Sequence, residues 1–245
     1  MKRPLALTVL LICAACGAQN AQQPNQSPAQ LGGQTPAQVA KAPCDNTYVP
    51  VKSGAKWTYR NTNTATKTLT QVATITNVGD RSFTETVSLG DSTTWTETWS
   101  CVYGGLLQLQ NNGGPAGAAI GPHGKATITT KSNTGLTIPT DPKPGDTWSQ
   151  VTEGVIKGGG LTLTQKTTLT SRAVGMEAVT VPAGTFQALR IDGQSKIDVT
   201  NQDGSKLQFT GTTSVWVVAG KGLVKSVSTI ASVETTSELE SLQVP

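Results

Sequence analysis

LTLTQKTTLTSRA, residues 161–173, decides the fold class. Leu161, Leu163, Leu169 and Ala173 share one side of an extended chain, and Thr162, Thr164, Lys166, Thr168, Thr170 and Arg172 share the other. A period of two with one wet face is the mark of an antiparallel strand covered on one side. Similar runs lie at about 66–76, 81–89, 93–103, 176–181, 186–199, 206–218 and 223–235. Turn residues punctuate them: Gly79-Asp80, Gly90-Asp91-Ser92, Asp203-Gly204 and Gly220-Lys221-Gly222. No helical period longer than two turns stands out beyond the N-terminal leader. The chain therefore reads as all-β, built of long antiparallel strands.

A repeat suggests two related halves. Lys52-Ser53-Gly54-Ala55-Lys56-Trp57 is echoed by Lys143-Pro144-Gly145-Asp146-Thr147-Trp148, and each follows a proline-containing segment. The spacing predicts a tight turn at Gly feeding a strand whose Trp covers the edge of the core. The halves fall at about 48–138 and 139–240. The glycine-rich stretch 111–124 between them reads as a loop.

The N-terminus, MKRPLALTVLLICAAC, has a basic n-region at Lys2 and Arg3, a short apolar run from Leu5 to Ile12, and small residues Ala14-Ala15 directly before Cys16. The run is shorter than the ~20 residues a membrane span needs. It resembles a bacterial lipoprotein signal, with Cys13 where such signals usually carry Leu. The resemblance implies that residues 1–16 are the signal segment and that Cys16 is acylated, palmitate being an expected anchor. Removal of an ordinary secretory signal is the alternative. Gly17, rather than Asp, after the cysteine favours the outer membrane. Residues 17–43 are rich in Gln, Ala and Pro and nearly uncharged. They form a tether spanning roughly 30 Å on average. The domain itself is expected over 44–240.

With Lys2 and Arg3 removed, 17 basic residues face 15 acidic ones. They are scattered, which argues against a nucleic-acid groove. Of the four cysteines, Cys44 and Cys101 remain in the exported domain. In an oxidising compartment they are expected to form a disulfide. His123 is the only histidine and lies in the glycine-rich stretch, so a His-based triad or zinc site has nothing else to draw on. No phosphate-binding loop or calcium loop is complete. No metal or cofactor is expected.

Three segments carry a family resemblance: Val49-Pro50-Val51-Lys52-x-Gly54-x-x-Trp57-x-Tyr59, Val181-Pro182-Ala183-Gly184-Thr185-Phe186, and Trp216 with Gly222-Leu223-Val224-Lys225. Together they resemble TapB-like bacterial envelope lipoproteins. In outline, that family is similar to the LolA and LolB type of lipoprotein carrier. The resemblance implies a curved sheet or half-barrel and brings no settled activity with it.

Residues 81–103 hold the sharpest constellation. If Gly90-Asp91-Ser92 is a three-residue loop, Val87 faces Trp95, Glu85 faces Glu97 and Phe83 faces Trp99. Opposed side chains have Cβ atoms ~4.5–5.5 Å apart. Two glutamates would meet in an aromatic patch, which is unfavourable unless a proton or a cation lies between them. In one reading, basic neighbours such as Arg60 or Lys67 neutralise them. In a second, Phe83, Glu85, Trp95, Glu97 and Trp99 line a hollow that binds an apolar or sugar ligand. In a third, the pair serves a glycoside hydrolase, since retaining enzymes hold their carboxyls ~5–5.5 Å apart. The sequence favours a non-catalytic envelope lipoprotein that binds or carries an apolar molecule or an envelope partner. A structural or adhesive lipoprotein is the rival.

Overall fold

The computed structural model describes residues 44–64, 66–90, 93–111, 127–158, 160–230 and 232–245. The leader, Cys16, the tether, His123 and all but the first residue of the 111–124 stretch lie outside the described residues. Thirteen strands follow in chain order: β1 (Lys56–Asn63), β2 (Thr66–Val78), β3 (Ser82–Leu89), β4 (Thr93–Val102), β5 (Gly105–Asn111), β6 (Thr127–Gly135), β7 (Ile138–Pro139), β8 (Thr147–Gly158), β9 (Leu161–Val181), β10 (Gly184–Thr200), β11 (Lys206–Val218), β12 (Gly222–Ile230) and β13 (Val233–Gln243). All belong to one open, curved antiparallel sheet, in the order β6-β8-β9-β10-β11-β12-β13-β1-β2-β3-β4-β5-β7.

Two meanders, β1 to β5 and β8 to β13, join where the first strand, β1, pairs with the last, β13, and β6, although it precedes residue 138, pairs with β8 of the second meander. The two edge strands, β6 and β7, are separated in sequence only by Leu136 and Thr137. One short link thus touches both edges, which forces a thirteen-stranded sheet to curl until its edges approach. Curling covers the inner face. Trp57, Tyr59, Ala73, Ile75, Phe83, Val87 and Trp95 are all buried there, on alternate positions of β1 to β4. A second buried group gathers Tyr48, Ala173, Leu189, Ile191 and Val217.

The repeat is structural. Gly54 N donates to Ile75 O, Ala55 N to Lys52 O, and Ile75 N to Ala55 O. In the second half, Gly145 N donates to Ala173 O, Asp146 N to Lys143 O, and Ala173 N to Asp146 O. Both glycines have left-handed backbone, φ 85° and 97°, which a Cβ would strain. Each turn aims a Trp whose indole N–H donates to a carbonyl: Trp57 to Lys221 O and Trp148 to Thr137 O. The tip of the β9–β10 hairpin reaches across the fold, with Ala183 N donating to Leu239 O. Cys44 is bonded to Cys101, fixing the start of the described chain to the end of β4.

Several boundaries differ from the sequence reading, and each difference has a cause. The runs at 161–173 and 176–181 are one 21-residue strand, β9. Its register slips between Ala173, opposite Ile191, and Gly175, opposite Arg190, so a bulge at Val174 breaks the alternation. The run at 223–235 is two strands, β12 and β13, folded back so that Ile230 faces Val233. The turn there contains Ser232 at φ 70° and carries no Gly, Asn or Asp to announce it. Besides the two-residue β7, four strands lie outside the longer alternating runs: the apolar alternation of β1 (Trp57, Tyr59) and of β5 (Leu107, Leu109) spans only three residues each, and β6 and β8 are mostly polar. They are strands because neighbours pair with them.

Candidate functional site

The three-residue loop after Leu89 sets the register of β3 on β4. Val87 pairs with Trp95, Glu85 with Glu97 and Phe83 with Trp99. Phe83 and Trp99 stack, with ring centroids 5.6 Å apart and planes inclined by 5°. Phe83 and Trp95 are 3% and 9% exposed and pack with Trp57, Ile75 and Val87. These aromatics are therefore engaged with one another and with β1 and β2, as core residues.

The glutamates sit against that core and are not equivalent. Glu97 is anchored at both oxygens: the Trp95 indole N–H donates to Oε1 at 2.9 Å and the Gln108 amide to Oε2 at 2.6 Å. Glu85 has no such anchor. Its neighbour on β2 is Ile75, and the hydroxyl-bearing ring of Tyr59 on β1 lies near enough for the two groups to affect each other's ionisation. The Trp99 indole N–H leans toward Glu85 and slightly favours its charged form, yet it makes no bond of normal geometry and is buried without a partner. Burial, reinforced by the charge of Glu97, pushes the Glu85 carboxyl up to about 8. Burial raises Glu97 as well, while its Trp95 and Gln108 donors pull the other way. Tyr59 is raised well above the ordinary phenol range by burial and then by Glu85, and its hydroxyl donates to Leu223 O. Burial and then the facing Glu97 favour a proton on Glu85 up to about pH 8, whereas Glu97, also raised by burial, is the member with a donor at each oxygen.

Neither carboxyl has a cation among the described side chains. Arg60 points away and pairs with Glu238 at 2.8 Å, and Lys225 meets the same Glu238 at 2.9 Å. The side chain of Lys67 lies outside the described residues. Among the described residues, no group of three or more His, Cys, Asp or Glu side chains could hold a metal.

Periodicity did not single out a polar clasp beside the pair. The Gln108 backbone N–H donates to Thr137 Oγ1, and that hydroxyl donates to Gln150 Oε1. The Gln150 amide donates to Asn133 Oδ1, and the Asn133 amide donates to the Gln108 carbonyl. Gln150, on β8, is buried. The ring of bonds joins β5, β6, β8 and the β6–β7 link, and Gln108 connects it to Glu97. The available signal was weak: Asn133 and Gln150 are amides in largely polar strands, and Gln108 alternates with Leu107 and Leu109 as an outward-facing residue would. Only the curl of the sheet makes them face one another.

Two solved structures share this architecture. One is an exported protein of Bacteroides fragilis described as having a YmcC-like fold, at 13% identity and a TM-score of 0.53, over 81% of this chain and 100% of that one. The other is a lipoprotein of Parabacteroides distasonis, at 15% identity and a TM-score of 0.53 over the same shares. At such identities the likeness is one of fold. No protein-family model matches the chain, and no curated protein matches it in sequence. The TapB-like and Lol-type resemblance rests on the sequence motifs alone.

Proposed function

We propose that the protein is a lipid-anchored lipoprotein of the cell envelope, acylated at Cys16, whose half-barrel is a non-catalytic module that binds an envelope partner. The export signal, the Cys44–Cys101 disulfide and the exported or lipoprotein descriptions of two fold neighbours support the location. Gly17 leans the anchor toward the outer membrane. The filled inner face weighs against a carried cargo and suits a partner-binding or a structural lipoprotein alike. Phe83 and Trp95 are buried in the protein's own core, so they offer little surface to a cargo molecule. Glu97, the carboxylate a glycosidase would use, has both oxygens taken up by Trp95 and Gln108.

A second reading, uptake of a small apolar molecule, is favoured by a cleft of about 390 Å³ at the tips of β9, β10 and β11, where half-exposed Leu207 lies beside Val199. A calorimetric titration with fatty acids and phospholipids, paired with fractionation of the Cys16→Ser variant, tests both. The partner reading expects a flat titration and a shift of the variant from membrane to soluble fraction. Saturable lipid binding would hand the function to the carrier reading, and unchanged membrane partition would remove the anchor.

A further inference from the structure

We propose that the Glu85–Glu97 pair is a proton-operated latch on the seam between β5 and β6, shut while the pair holds a proton and released when both carboxyls are charged. The seam is the weak line of the wall. The edges of the sheet meet there, and no backbone ladder joins β5 to β6 among the described residues. β7 closes only the far end, through Gly105 and Leu106. Beyond the backbone bonds of the β6–β7 link, Thr137 N to Leu106 O and Leu136 N to Ser149 O, the wall is held by the amide and hydroxyl bonds of Gln108, Thr137, Gln150 and Asn133.

Gln108 is the shared member. Its backbone carries the clasp through both N–H and C=O, while its side chain holds Glu97. Any displacement of Glu97 is therefore delivered to the seam. The displacing force is at hand. Glu85 lies directly opposite Glu97, with no bonded anchor of its own and no cation among the described side chains acting on it. The groups facing it are Tyr59 from β1, Ile75 from β2, and Trp99 and Glu97 from β4. Of these, Tyr59 stays protonated well past the range in which Glu85 ionises. A second negative charge in this pocket draws in water and repels Glu97, because the low local dielectric leaves like charges poorly screened. Glu97 yields toward Gln108, and the ring formed by the Gln108 backbone and the Thr137, Gln150 and Asn133 side chains loses its geometry. The idea stands apart from the partner reading, since it concerns how the wall moves and not what the domain binds.

The five indole N–H groups provide the test. In nitrogen–proton NMR spectra of the full chain between pH 6 and 10, Trp95 and Trp99 report on the pair. Trp148, bonded to Thr137 O at the seam, touches neither carboxyl, and Trp57, bonded to Lys221 O, lies outside the clasp. The latch requires the Trp148 signal to move or broaden with the same midpoint, near pH 8, as Trp95 and Trp99, while Trp57 stays still. Glu85→Gln must abolish the Trp148 response. Should that variant not fold, Glu97→Gln must likewise leave Trp148 still, because the pair can then never carry two charges, while the Trp99 midpoint moves to lower pH as the neighbouring charge is removed. A Trp148 signal that stays fixed while Trp95 and Trp99 titrate would overturn the latch, as would a spectrum in which none of the three responds.

Discussion

Glu85 is where one side chain governs the behaviour of the domain with pH. Its folded-state pKa, about 8, lies above the ordinary carboxyl value of 4.5. A carboxyl raised in this way contributes stability that is complete below about pH 4.5 and is lost as pH rises toward 8. The loss is roughly 1.4 kcal/mol per pH unit across that window. Glu97, also raised, adds to it in the same sense. The carboxylates lowered by partners, such as Asp198 and Glu238, act below that window and do not cancel it. The melting temperature should therefore fall from pH 5 to pH 8, and Glu85→Gln should flatten that slope and melt higher than the parent at pH 8. Calorimetry at a series of pH values checks this, and an unchanged slope would refute it. The pairing of the two glutamates could be read from loop length, because a three-residue loop admits one register. That Gln108 would anchor one and leave the other free could not, since a register shift between Thr98 and Trp99 decides where Gln108 falls along β4.

At the scale of elements, the turn between β12 and β13 is the clearest case of structure without a sequence signal. Ser232 adopts φ 70°, a conformation that costs a residue bearing a Cβ about 1 kcal/mol or more. Ser232→Gly should relieve that strain, tempered by the greater freedom glycine gives the unfolded chain. A gain of about 0.5–1 kcal/mol in denaturant unfolding is expected, whereas a loss would mean that the serine side chain holds the turn. The opposite case is Gly135, which ends β6 at φ 90°. A Cβ there would overlap the Ser149 carbonyl, so Gly135→Ala should cost several kcal/mol and loosen β6 from β8. Thermal melts with near-ultraviolet circular dichroism would show it. The two Lys-x-Gly-x-x-Trp turns were legible because glycine at a left-handed position and tryptophan after it are strong local marks. The bulge at Val174 left only a break in alternation, which also reads as the end of a strand.

The whole molecule is a single sheet, and its closure depends on contacts far apart in sequence. The Cys44–Cys101 bond spans 57 residues, which in the chain-entropy model is worth about 4 kcal/mol. Reduction, or Cys101→Ala at a fully buried site, should lower the denaturation midpoint accordingly, and an unchanged midpoint would show that the bridge adds nothing. The sequence by itself determined the all-β class, the antiparallel sense, most of the turns and the pairing of β3 with β4. Each of these is written in local alternation, glycine placement or loop length, which act over a few residues. Only the tertiary structure decided that β1 pairs with β13, that edges β6 and β7 are brought together by a two-residue link, and that Gln108, Asn133, Thr137 and Gln150 meet at the seam. Those features arise from the curl of the sheet. Curl is the sum of small twists over thirteen strands, and no single stretch of residues encodes it.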